Sequence, residues 1–100
     1  AVNTPPVADP QTLSTWRGQS LSITLTGSDA DGNTLTYEVV AAPSHGALSG
    51  SAPDLVYTPA AGYIGADSFS FRVWDGLAYS APALVSIQVE MPLFLPILVK

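Results

Sequence analysis

Eight acidic residues stand against three basic ones and a single histidine, so the chemistry open to this chain is mainly that of carboxylates. Asp29, Asp31 and Asp75 lie in runs of turn formers, Gly27-Ser28-Asp29-Ala30-Asp31-Gly32-Asn33 and Asp75-Gly76. Carboxylates joined by a carbonyl or two supply the oxygen shell of a hard cation such as calcium, which takes about six to eight ligands. Three carboxylates leave that shell incomplete unless a neighbouring domain contributes. The competing reading is turn chemistry alone, because tight turns select Asp, Asn and Gly. The spacing is not that of an EF-hand: the glycine comes too early, and Val40 stands where the bidentate Glu belongs.

The remaining reactive groups are isolated. His45 has neither a cysteine nor a serine elbow beside it, so no nucleophilic device is formed. No carboxylate spacing suggests a sugar-cleaving cleft, and an enzyme is not expected. Asp67 opens a strand of about eight residues, which at ~3.3 Å each sets it about 25 Å from Asp75. It therefore belongs to the opposite end, beside Trp16 and Arg17, where a salt bridge to Arg17 is the plain alternative to a functional role. Lys100 is the one lysine and sits at the terminus, which excludes an isopeptide crosslink from a buried lysine.

These groups must be carried by strands. Leu21, Ile23 and Leu25 alternate with Ser20, Ser22, Thr24 and Thr26, the two-residue period of a half-buried strand. The period resumes at Leu35, Tyr37 and Val39, and again at Phe69, Phe71 and Val73 opposite Ser68, Ser70, Arg72 and Trp74. A last strand sends Ala83, Val85, Ile87 and Val89 inward. Short apolar pieces at Ala47-Leu48 and Leu55-Val56-Tyr57 follow the Pro43-Ser44-His45-Gly46 turn. The proline-rich opening, Asn3 to Pro10, reads as an extended linker into an edge strand. No window shows helical period, so the fold class is all-β: an antiparallel two-sheet Greek-key sandwich of about seven strands.

One hundred residues suffice for one domain, and 47% hydrophobic with 11% charged residues argues against disorder. The expected boundaries are residues 1–90 for the sandwich and 91–100 for an apolar tail. A net charge of -5 leaves no footprint for gripping nucleic acid. The absence of cysteine excludes a disulfide framework. No signal or transit peptide is visible at Ala1, which reads as the start of a mature or excised segment. Tyr63, shortly before the Phe69 strand, is placed to tie its loop back through the phenol.

The order of phrases Asn3-Thr4-Pro5-Pro6-Val7-Ala8, Gly27-Ser28-Asp29-Ala30-Asp31-Gly32-Asn33, Pro43-Ser44-His45-Gly46, Tyr57-Thr58-Pro59 through Asp67-Ser68-Phe69, and Val73-Trp74-Asp75-Gly76 resembles the bacterial immunoglobulin-like and cadherin-like tandem repeats. That resemblance implies a spacer, stalk or adhesion unit on the bacterial surface or in secreted proteins, with calcium bound in many members where domains meet. Trp16-Arg17-Gly18 departs from it, standing where an acidic Glu-Asp pair is common.

Contact surfaces are expected at Trp16 and Trp74, outside the inward stripes, and along the tail at Leu93, Phe94, Leu95, Ile97, Leu98 and Val99. The tail is about half the roughly twenty residues a membrane-spanning helix needs. It is read either as a strand added to a neighbour or as a final edge strand of its own sandwich, with Pro92 and Pro96 confining it to an edge. The expected partners are neighbouring domains, identical subunits, a cell-surface protein or a glycan met by tryptophan stacking. A filament or sheath subunit and a carbohydrate-binding module are the alternative functions.

Overall fold

A computed structural model describes residues 4–91, and the tail positions Leu93, Phe94, Leu95, Ile97, Leu98 and Val99 lie outside the described residues. Nine strand segments run in the order β1 (Val7–Ala8), β2 (Gln11–Trp16), β3 (Leu21–Thr24), β4 (Gly27–Ser28), β5 (Thr36–Ala41), β6 (Gly46–Ser51), β7 (Asp54–Pro59), β8 (Gly65–Trp74) and β9 (Ala83–Glu90). They form a four-stranded sheet β2-β9-β8-β5, a three-stranded sheet β3-β7-β6 and a short β1-β4 ribbon. Since β1 and β2 are two halves of one N-terminal run, and β3 and β4 of another, the nine segments follow seven strand paths.

Inward parity builds the core. Phe69, Phe71 and Val73 of β8 and Val85, Ile87 and Val89 of β9 face Ile23, Leu25, Leu55 and Tyr57 from the other layer. Each large apolar side chain so buried contributes about 1.5–3 kcal/mol. The stripes at Leu21/Ile23/Leu25, Leu35/Tyr37/Val39 and Ala83 to Val89 fall on the faces that alternation assigns them. Val40 faces outward by the same alternation, and a register shift in β5 between Val39 and Ala41 then sets Ala41 rather than Val40 opposite Ser70.

The N-terminal run changes sheet. β1 pairs antiparallel with β4, so closely that a Cβ on Gly27 would lie 2.7 Å from the Val7 carbonyl oxygen. The Asp9 amide then donates to the Thr26 carbonyl at 3.1 Å, and the Thr26 hydroxyl donates to the Asp9 carboxylate at 3.1 Å. The chain turns at Pro10, which has no N–H to place. β2 goes on to pair parallel with β9, from Gln11↔Val85 to Trp16↔Glu90. The other strand pairs among the described residues are antiparallel.

This path gives the domain two poles. At one, the Thr4 amide donates to Asp31 Oδ2 at 2.7 Å, and Thr36 pairs with Trp74. At the other, Gly65 pairs with Val89, and the Arg17 amide donates to the Glu90 carbonyl at 2.7 Å. The described chain enters at the first pole and leaves at the second, with the ten-residue β8 running between them.

Candidate functional site

The acidic turns at the entry pole are built on backbone hydrogen bonds. Asp29 Oδ1 accepts from the Asp31 amide at 3.2 Å, its Oδ2 accepts from the Asn33 amide at 3.1 Å, and its carbonyl accepts from Gly32 at 3.0 Å. Gly32 takes a φ of 74°, the left-handed region that favours glycine. Asp75 is buried, and its Oδ1 accepts from both the Leu77 and Ala78 amides at 2.8 Å. Asp31 anchors Thr4. Asp29, Asp31 and Asp75 thus share a pole, but among the described residues no three acidic or histidine side chains are grouped to hold a metal ion. Each carboxylate accepts backbone N–H bonds, the local pattern of turn-stabilising aspartates.

The densest polar constellation lies toward the exit pole. Asp67 is buried, in phase with Phe69, Phe71 and Val73. Its Oδ1 accepts from the Ser44 amide at 3.1 Å and the Ser68 amide at 2.8 Å. Its Oδ2 accepts from the His45 amide at 3.1 Å and the Tyr57 hydroxyl at 2.6 Å. Four donors fill the roughly four acceptor positions of a carboxylate. Burial, the largest single influence, would raise the Asp67 pKa; the bonds from Tyr57, Ser68, Ser44 and His45 together outweigh it and hold the carboxyl below its ordinary value. Tyr57 is shifted the other way: burial first, then the hydrogen bond and charge of Asp67, push its phenol far above the usual range. The alternative of an Asp67–Arg17 salt bridge is not what the fold contains, because Asp67 points into the sandwich, where backbone amides and a phenol meet its charge.

Gly46 explains how the loop comes so close. A Cβ there would lie 2.6 Å from the Tyr57 ring and 2.7 Å from the Thr58 carbonyl oxygen, so glycine is what lets the loop approach the ring and the β7 backbone this closely. The His45 imidazole stacks on Tyr63 with centroids 4.2 Å apart and planes 4° from parallel. The Tyr63 phenol donates to the Ala66 carbonyl, tying its loop as expected. The hub of this network, Asp67 with Tyr57 and Gly46, escapes a reading by turn composition. The signal for it is parity, since Asp67 shares the inward phase of Phe69.

On the outer face of the four-stranded sheet, Trp74 is half-buried and packs on Tyr79 at 4.6 Å between centroids. The Arg72 guanidinium lies 3.5 Å above the Tyr79 ring and bonds Glu38 at 2.9 Å. Trp74 is thus partly covered by its own chain, whereas Trp16 stays 44% exposed at the exit pole.

A two-layer sandwich of seven strand paths, with its first and last strands paired in parallel, defines an immunoglobulin-type domain. The chain belongs to the bacterial Ig domain family, a non-catalytic family whose model matches residues 3–88. Among solved structures it is similar to an endo-fucoidan hydrolase of glycoside hydrolase family 107, at 23% identity and TM-score 0.66 over 87% of this chain and 14% of that one. A variant of that hydrolase gives 22% identity and TM-score 0.67 over the same shares. A nucleoside hydrolase-related protein from Saccharophagus degradans, described as associated with carbohydrate metabolism, gives 22% and 0.66 over 90% of this chain and 26% of that one. At such identities the likeness establishes the fold, and the chain spans a small part of each neighbour. No curated protein matches it.

Proposed function

We propose that this domain is a non-enzymatic spacer and contact unit of a bacterial extracellular or cell-surface protein, its partners being neighbouring domains or identical subunits. The observation that carries the reading is the passage of the described chain from pole to pole, with Thr4 bonded at one end and Glu90 at the other. Copies joined in series then add length along one axis. Tension between the poles loads the parallel β2/β9 pair in shear, so its six residue pairs resist together. Exposed Trp16 and Met91 at the exit pole, and Leu77 on the turn after β8 at the entry pole, offer apolar contact to a neighbour. Membership in a family typical of surface and extracellular proteins supports the location.

Small-angle scattering on tandems of one, two and three copies tests the spacer role. The maximum dimension should grow by at least about 30 Å per copy, the length of ten residues at ~3.3 Å each. Growth in cross-section at constant length contradicts it.

A further inference from the structure

The outer face of the four-stranded sheet carries a groove of about 430 Å³, within the range of roughly 300–1,000 Å³ that small-molecule sites occupy. Its floor follows from register. Thr12 of β2 pairs with Ser86 of β9, and Ser86 pairs with Ser68 of β8. Three hydroxyls therefore form one rung across three strands, neighbours about 4.5–5.5 Å apart at Cβ. Gln88 lies on the same face one rung away, and the Ser44-His45 loop forms a wall.

These side chains are neutral, and each hydroxyl or amide both donates and accepts. Several hydroxyls outside the groove are committed to the protein: Thr15 to the Gln19 carbonyl, Thr24 to Asp54, Thr26 to Asp9 and Thr36 to the Trp74 carbonyl. Those of Thr12, Ser44, Ser68 and Ser86, and the Gln88 amide, make no hydrogen bond to the described residues. The wall is rigid, because Asp67 holds both of its amides and Tyr63 stacks on the His45 ring. Leu84, 51% exposed, adds an apolar edge. Asp67 is the one charged group among the described lining residues, and its charge is already met by four donors.

We propose that this groove binds a segment of neutral carbohydrate. A charged ligand finds no free counter-charge among the described lining residues, and an apolar one leaves the hydroxyl rung desolvated without partners, at about 1–3 kcal/mol per group. A polyol matches both the alternating donors and acceptors of the rung and the apolar part of the lining, which Leu84 shares with Leu13, Ala66 and Ile87. The proposal is independent of the spacer role, since a spacer without a ligand remains a spacer.

The test is backbone-amide NMR of the ¹⁵N-labelled domain titrated with neutral glucose, galactose and mannose trisaccharides and with a sulfated trisaccharide. At least one neutral sugar should shift amides at 12, 44–45, 68 and 84–88, with Kd on the order of 1 mM. Ser68→Lys, at an exposed position, should weaken that binding at least about tenfold, while Trp74→Ala leaves it unchanged. Preference for the sulfated sugar, shifts centred on Trp74 and Tyr79, or no shift with any neutral sugar overturns the proposal.

Discussion

Asp67 shows how one buried charge organises a loop. Its four bonds convert the Pro43–Gly46 turn from a polar connection into part of the sandwich wall, and the Tyr57 hydroxyl reaches it from the core. Removing one partner from such a group leaves the other desolvated, at about 1–3 kcal/mol. Tyr57→Phe and Asp67→Asn should each lower stability by that amount in urea unfolding with an unchanged slope. A loss below about 0.5 kcal/mol would contradict the hub. The pH dependence has two arms. Asp67, depressed in the fold, contributes stability that is present above its unfolded value of ~3.9 and is lost as pH falls from there through its lower folded value. Tyr57, raised in the fold, contributes stability that is present below ~10 and is lost as pH rises beyond. Urea midpoints measured across pH should fall at both extremes, and Tyr57→Phe should flatten the alkaline arm. Gly46→Ala drives a methyl against the Tyr57 ring and should cost about 1–3 kcal/mol, read by the same unfolding. The sequence made this hub hard to see because Asp67 opens a strand after turn residues. Its parity with Phe69, Phe71 and Val73 is nevertheless plain once the stripe is extended one step back.

At the scale of elements, the strands with three or more alternating apolar residues are legible: the Ile23, Phe69 and Val85 stripes need no tertiary knowledge. β2 is not. Its inward positions are Gln11, Leu13 and Thr15, one large apolar residue in three, and its strand state comes from pairing with β9 rather than from its own pattern. The parallel direction of that pair is invisible to periodicity, which reports faces and not neighbours. The acidic turns were ambiguous for a different reason, since Asp in a tight turn and Asp around a cation share one composition. In the fold, Asp29, Asp31 and Asp75 accept amides of their own loops or of Thr4. Addition of millimolar calcium to the single domain should therefore leave its thermal midpoint unchanged. An upward shift of several degrees would favour the cation reading over the turn reading, because a ligand that binds only the folded state stabilises it.

For the whole molecule, the decisive property is direction. The described chain enters beside Asp31 and leaves beside Arg17, and the parallel β2/β9 pair lies along the line joining them. Two-layer architecture was readable from the stripes, whereas the separation of entry and exit depends on the sheet change at Pro10, which no local pattern announces. The measurement that bears most directly on this is single-molecule pulling through introduced cysteines, a clean attachment because the chain has none of its own. Handles at Thr4→Cys and Met91→Cys load β2 against β9 in shear, while handles at Arg17→Cys and Met91→Cys, on one pole, open the same pair bond by bond. The pole-to-pole geometry should require a clearly higher unfolding force; equal forces, or a lower force between the poles, would contradict the account.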